Sequence, residues 1–587
     1  MQIGAQEPFV QRAQTPALWR PYLPPTVPPV TLTNSERLRS LIRAGRLYLT
    51  LQDAIALAIE NNLDLQVDRY GPLSAQWALE RAEGGGPLRG VTQGNSVTST
   101  VTGGQGVQGA IQSAGLTQAN GNNTNSSNAG TVTQIGPITP NLDPVFQNTD
   151  AWSHQSVLQP NSSIAGTAAL IDGKHNFNAQ VQQGLLSGGY VQVSAQENYL
   201  TENSPTDVLN PSFAPIGQIY VRHSLLNGFG TGVNGRFIRV ARKQVTSSDV
   251  TFRSQLLNVV ADVVNAYWDL VADRLDLKAK QQARDFSGQF YQDTQRQIQL
   301  GTVAKVDLYQ AEAEVSTRRQ ELAISESNLR QQEITLKNLM SRNGSEDPEL
   351  ETAALVPLDD IQVPAIDNLP PLRQLVATAL ANRPDIELDK INNEVQEISA
   401  IGTKNGVLPT LGGIGQFTNR AESGAPNPLS QETPIAGLVG GFGNALGQVF
   451  RGAYSSSSGS IYFQGTIHNR LNQGDYGVDQ LQLRQGDLIE RRNRNQLVVD
   501  ISNQVIALTQ ARARYENAAA SRALQQDLLD KERQKFSLGG STIDLVIAAQ
   551  RSLVSAQYLE VSALGTYSRA RVALDQVLGL TLQKNNV

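Results

Sequence analysis

Gly230-Thr231-Gly232-Val233-Asn234-Gly235 matches the G-x-G-x-x-G turn that lays backbone N–H groups along a dinucleotide pyrophosphate. That motif needs a wholly apolar strand before it and a second strand after its helix. Here the preceding run alternates apolar with polar residues, and a helical pattern of about 60 residues follows. A strand-to-helix transition explains these glycines better, and an oxidoreductase would have to show cofactor binding in a fluorescence titration. His154, His175, His223 and His468 share no metal-ligand spacing. The chain has no cysteine, which removes disulfides, thiolate ligands and thiol nucleophiles together. Tyr267-Trp268 suits helix packing better than a ligand box. Asp307 and Asp544 open helical runs shortly after Gly301 and Gly539, where the helix dipole favours a carboxylate in any case. The chain reads as no enzyme, with no cofactor and no metal.

The composition agrees. Charged residues are 17% of the 587, below the roughly 25% of an ordinary soluble chain. Asn, Gln, Ser, Thr and 50 glycines fill the difference. A net charge of −5 gives no basic field to hold nucleic acid. The sequence has no apolar run long enough for a membrane-spanning helix, but a transmembrane barrel needs only short alternating segments. Met1 to Val30 is Pro-rich and shows no signal peptide, so the chain is cytosolic, or its signal was removed or lies upstream.

The elements that must position these residues follow from periodicity. Residues 1–48 read as a Pro-rich, extended arm. A first unit, 49–342, begins with a helix and passes through a Gly/Asn/Ser-rich insertion at about 84–161, expected as a long surface loop. Strands are expected at about 175–226, where Phe177, Ala179, Val181 and then Ile219, Val221 alternate with polar, largely amide residues. Uncharged amides suit a water-filled lumen somewhat better than the surface of a soluble sandwich. Long helices are expected at about 236–300 and 302–341, the second carrying Leu308, Val315, Leu322, Leu329 and Leu336 at heptad spacing. A linker at 343–371 leads to a second unit, 372–580. It has a helix, strands at about 411–419 and 461–467, and long helices at about 479–537 and 541–579. Residues 581–587 form a tail.

The second unit repeats the first. Ala54 to Leu65 matches Leu375 to Ile386, and Leu300-Gly301, Ala311 and Leu336 match Leu538-Gly539, Ala549 and Leu574 at one constant offset. Each unit reads helix, strands, long helix, Gly turn, long helix.

In this frame stand Leu51-Gln52-Asp53-Ala54 with Asn61-Asn62, Leu225-Leu226-Asn227-Gly228-Phe229-Gly230 and Asn265-Ala266-Tyr267-Trp268. Two helix–Gly–helix turns complete it, Gly301 to Leu308 and Gly539 to Asp544. Together they resemble the TolC-like outer-membrane efflux proteins over about residues 50–580. The resemblance implies an α+β membrane protein and a homotrimer. Its 12-stranded transmembrane β-barrel, with four strands per chain, would continue into a long α-helical coiled-coil barrel, all from an internal duplication.

The place implied is the outer membrane of a Gram-negative bacterium, with a long periplasmic extension. The function implied is the exit duct of a tripartite efflux or type I secretion system. Its partners would be outer-membrane lipid, a periplasmic adaptor (membrane fusion) protein and an inner-membrane transporter of RND, ABC or MFS type. Gly301, Thr302, Val303, Gly539, Gly540 and Ser541 would form the tip that the adaptor grips. Asp307 and Asp544 would be candidate pore-gate carboxylates and Lys305 a salt-bridge partner, against the plainer reading as solvated helix starts. Two features depart from the family: the insertion, and three strand-like runs in the first unit. Either Phe177–Ala195 is one bent strand or an extra hairpin is present. A soluble or secreted elongated coiled-coil structural protein is the alternative, extractable without detergent.

Overall fold

A computed structural model describes residues 22, 24, 27, 29–88, 96–98, 131–133, 136–300 and 304–587. Most of the N-terminal arm and much of the insertion lie outside the described residues. So do Gly301, Thr302 and Val303 of the first tip.

Eight strands make one antiparallel sheet: β1 (Val145–Leu158), β2 (Ala169–Leu185), β3 (Gly189–Glu202), β4 (Leu209–Phe213), β5 (Ile216–Ser224), β6 (Thr410–Arg420), β7 (Ser423–Pro426) and β8 (Tyr454–Gln464). The long strands follow the order β1-β2-β3-β5-β6-β8, with β4 and β7 beside the Tyr199–Leu200 end of β3. Two expectations are corrected here, and one open alternative is resolved. Among the described residues the sheet has six long strands where four were expected. β1 lies inside the stretch expected as a loop. Phe177–Ala195 is two strands of a hairpin, so the extra hairpin is present. β1 is not distinct in the sequence because Gln147, Asn148, Gln155 and Ser156 dilute its apolar residues into the composition of the stretch before it. The second unit's strands end at 420 and 464, and Ile467 stands outside the sheet. Within one chain the sheet is open.

The β2–β3 turn depends on Gly188. Its φ is +107°, and a Cβ there would lie 1.9 Å from the carbonyl oxygen of Gly228. No other residue fits that approach.

The helices are α1 (Leu51–Asn61), α2 (Tyr70–Glu83), α3 (Arg236–Gln299), α4 (Lys305–Met340), α5 (Leu372–Asn382), α6 (Pro384–Gly406), α7 (Phe442–Arg451), α8 (Arg470–Ser537) and α9 (Ile543–Val577). Thr50 starts α1 with a capping box, since Asp53 N–H donates to its hydroxyl while its own N–H reaches the Asp53 carboxylate. The 64 residues of α3 extend about 96 Å at 1.5 Å each. α8 begins at Arg470, nine residues ahead of the expected 479, because the sheet ends sooner.

Each unit buries its short helix against its own long pair. In the first, Ala54, Ile55 and Leu57 of α1 pack with Val260, Val263, Tyr267 and Leu270 of α3 and Leu336 and Met340 of α4. In the second, Leu375 and Ala379 of α5 pack with Leu497, Ile501 and Leu508 of α8 and Tyr567 and Leu574 of α9. The linker is tied down by a tyrosine in each unit, from α3 in the first and from α9 in the second. Tyr267 Oη donates to the Leu49 carbonyl at 3.0 Å and lies 3.0 Å from the Asp359 carboxylate. Tyr567 donates to Asp367 at 2.7 Å, and Asp367 pairs with Arg512 at 2.9 Å. Burial, then the Asp367 bond, pushes the Tyr567 phenol up to about 12, so it stays a donor.

The N-terminal arm also needs correction. Residues Glu36–Leu41 form a short helix and Arg46–Leu49 a strand parallel to Ala354–Pro357 of the linker. Leu38, Leu47 and Leu49 are fully buried in the first core, and that burial draws the segment out of solvent.

Candidate functional site

Side chains alternate across a sheet, so the register sorts them into two faces. Val181, Val193, Ile219 and Phe417 form one row across β2, β3, β5 and β6, with Val191, Val221, Ile461 and Phe463 beside it. This face is apolar and open: Val193 is 51% exposed and Ile461 77%. The adjacent rows on the other face read Gln147, Gln180, Ser194, Gln218, Thr418, Ser456 and Gln182, Gln192, Tyr220, Gln416, Ser458. The amides form a ladder there. Gln192 donates to Gln180 and Gln180 to Gln147, both at 2.8 Å. Further along, Arg222 donates to Tyr462 Oη at 3.0 Å. One face is therefore largely apolar, and the other is a hydrogen-bonding surface of uncharged amides and hydroxyls through its middle, with charge at its ends in Arg222 and in Lys174, Asp172 and Glu202.

The apolar face carries charge only toward the β1–β2 loop end. There His175 meets Asp150 at 2.6 Å and stacks on Trp152 with ring centres 5.0 Å apart. α7, from the Gly-rich stretch Ile435–Phe450, lies on this face. Val449 and Ala445 are buried against the sheet near Gly217 and Ala421, Phe442 packs on Phe213 with ring centres 6.2 Å apart, and Phe450 points outward.

Both helical hairpins end in an exposed leucine: Leu300 is 78% exposed and Leu538 86%. Sequence reasoning quoted both as repeat markers and missed them as surface. At the second tip Gly539 takes φ +78° and Gly540 N–H donates to the Lys535 carbonyl at 2.9 Å, closing α8 in a left-handed cap. Ser541 Oγ donates to Glu532. Asp544 lies exposed in the first turn of α9, beside exposed Leu545, while Ile543 and Val546 face inward. Asp307 is half-buried in the first turn of α4 and its N–H donates to Ala304 at 3.1 Å. Lys305 is exposed, and among the described residues no ion pair joins it to Asp307.

Above the tips a buried ionic cluster ties the hairpins together. Glu314 of α4 is enclosed by Arg318 at 2.7 Å and by Arg551 of α9 at 2.9 Å. Arg318 also reaches Glu321 at 2.7 Å, which Lys280 of α3 meets at 3.0 Å. Beside it Gln550 of α9 donates to Ser287 of α3 at 2.7 Å. Burial pushes the Glu321 carboxyl up, but Lys280 and Arg318 outweigh it and hold its pKa below the ordinary value. The four-residue step from Glu314 to Arg318 is visible in sequence, whereas Arg551 lies 237 residues away.

The glycine string is an elbow between β5 and α3. Asn234 is buried and donates to the carbonyls of Gly228 at 2.8 Å and Gly230 at 3.0 Å, so its amide fills the turn. Buried Arg236 closes the other side, donating to Val233 at 2.8 Å and Pro137 at 2.7 Å. Of the four histidines, His175 and His223 bond a carboxylate and a serine, and no metal-holding cluster occurs among the described residues.

Residues 229–342 match the family model described as outer membrane efflux protein. No curated protein sequence matches the chain. Among solved structures it is similar to the CmeC outer membrane channel of Campylobacter jejuni, at 14% identity over 95% of this chain and 94% of that one, with a TM-score of 0.55. The outer membrane protein VceC of Vibrio cholerae is 12% identical over 90% of this chain and 96% of its own, at 0.53. The open state of the MtrE outer membrane channel of Neisseria gonorrhoeae is 13% identical over 90% and 89%, at 0.53. At these identities the likeness is one of fold. Together with the family match it bears out the resemblance read from the repeated frame.

Proposed function

We propose that this chain is the outer-membrane exit duct of a tripartite efflux or type I secretion system, conducting substrates passively from the periplasm of a Gram-negative bacterium to the exterior. The observation that carries this reading is the two-faced sheet. An exposed apolar band on one side and an amide ladder on the other suit lipid outside and water inside. A soluble coiled-coil scaffold would have no use for that apolar face. The sheet cannot close alone, and a homotrimer is the assembly proposed to close it. The helical hairpins then form the periplasmic tube.

At its end, Gly301, Thr302, Val303, Gly539, Gly540 and Ser541 are proposed as the tip that a periplasmic adaptor grips. Leu300 and Leu538 give it apolar purchase. An inner-membrane transporter of RND, ABC or MFS type would stand behind the adaptor. Asp307 and Asp544 are proposed as the gate, with Lys305 finding its partner on a neighbouring chain. Opening would follow from adaptor contacts that favour the open packing of the tip helices. Planar-bilayer recording of the purified protein tests this. Discrete pores are expected, with conductance raised in Asp307→Ala and Asp544→Ala. Unaltered conductance in both variants removes the gate, and absence of any pore removes the duct.

A further inference from the structure

The sheet of one chain has two unpaired long edges, and their chemistry indicates what covers them. β1 at one end and β8 at the other are exposed along nearly their whole length. Neither contains Pro or Lys, the residues that commonly blunt an exposed edge, so each is a template for another strand. All five neighbouring pairs between them are antiparallel, so β1 and β8 run in opposite directions. The β8 edge of one copy can therefore pair with the β1 edge of the next and continue the alternation unbroken.

The β1–β2 hairpin also has the properties of barrel wall. It is hydrogen-bonded to β3 over 14 residue pairs, and its polar rows extend the amide ladder through Gln180 to Gln147. At 14 and 17 residues its strands exceed the 9–11 needed to cross a bilayer obliquely. β3 runs on past the last residue it pairs with on β5, from Glu197 to Glu202, and β1 and β2 continue beside it. At the opposite end β2, β3, β5, β6 and β8 finish nearly level, so the hairpin continues the wall from the same base.

We infer that the β1–β2 hairpin is part of the transmembrane wall, that β1 pairs with β8 of a second copy of this chain, and that three copies close an 18-stranded barrel. This rests on the trimeric duct proposed above. Barrel diameter grows about linearly with strand number, so this mouth is roughly one and a half times as wide as a 12-stranded one.

The absence of cysteine makes the test clean. Ala151→Cys or Gln155→Cys on the polar face of β1 is combined in turn with Ser456→Cys, Ser458→Cys and Ser460→Cys on the same face of β8. Gln192→Cys on β3 is combined with the same three. The protein is oxidised in outer membranes, and its native mass is taken in detergent. The inference requires a disulfide-linked trimer from a β1–β8 combination and none from the β3 set. Linkage through Gln192, or a trimer by mass that no β1 combination links, overturns it and leaves the duct standing. A particle that is not a trimer removes the duct's assembly as well, and the mass alone identifies that case.

Discussion

Glu314 is enclosed by two arginines from helices of different hairpins, so what happens there bears on how the hairpins hold together. Glu314→Gln leaves Arg318 buried with only Glu321 to balance it. Losing one partner of a buried pair costs about 3–5 kcal/mol, and the exposure of Arg551 places this case at the lower end. The thermal midpoint should fall by several degrees and resting conductance rise; an unmoved midpoint would remove the clasp. Glu321 has a lowered pKa in the folded state, so its contribution is present above the ordinary carboxylate pKa and is lost as pH falls through the lowered one. Glu321→Gln should therefore be less stable than the parent at pH 7 and converge with it only as pH falls below the ordinary carboxylate range, checked by thermal melting across pH. Gly539 differs in kind. Nothing lies within 4 Å of where its Cβ would be, so only the φ of +78° resists substitution. Gly539→Val should cost about 1–2 kcal/mol and Gly539→Asn distinctly less, measured by thermal melting. Equal cost for the two would mean that crowding, and not backbone, fixes the glycine. The glycine at the tip is legible from sequence because its role is local. The clasp is not, since its charges come from residues hundreds of positions apart.

Among the elements, the strands carry the most consequential chemistry. Val193 and Ser194 are neighbours in β3 that face opposite ways. Val193→Asp puts a charge on the apolar face, at a cost of up to about 2 kcal/mol at mid-depth, and should lower outer-membrane yield. Ser194 is itself buried, so the control is Gln196→Asp, two residues on along the amide face, which should assemble nearly normally. Equal yields would mean that the faces are not divided between lipid and water. β5 can be read from sequence because Ile219 and Val221 alternate cleanly with Tyr220 and Arg222. β1 cannot, since Asp150 and His154 share a face with Phe146 and Trp152, and only pairing with β2 reveals the strand. The long helices are plain in the heptad leucines of α4. Their starts are less so, because the sheet gives way to α8 through Asn469 in a left-handed conformation, a signal too small to read from one sequence.

At the scale of the molecule, the repeated frame makes the order of helices and strand groups legible in the sequence. Two short helices, two strand groups and two long helical hairpins join one sheet to one set of packed helices. The number of strands was not visible, because the family pattern supplies four and the extra hairpin hides in a polar insertion. The central claim is that the open sheet becomes a wall only when copies of the chain assemble in a membrane. The most direct test is the native mass of the protein extracted by detergent from fractionated outer membranes. The account requires a particle of about 190 kDa plus detergent, three times the 63.4 kDa chain. A single chain recovered from the soluble fraction without detergent would contradict it.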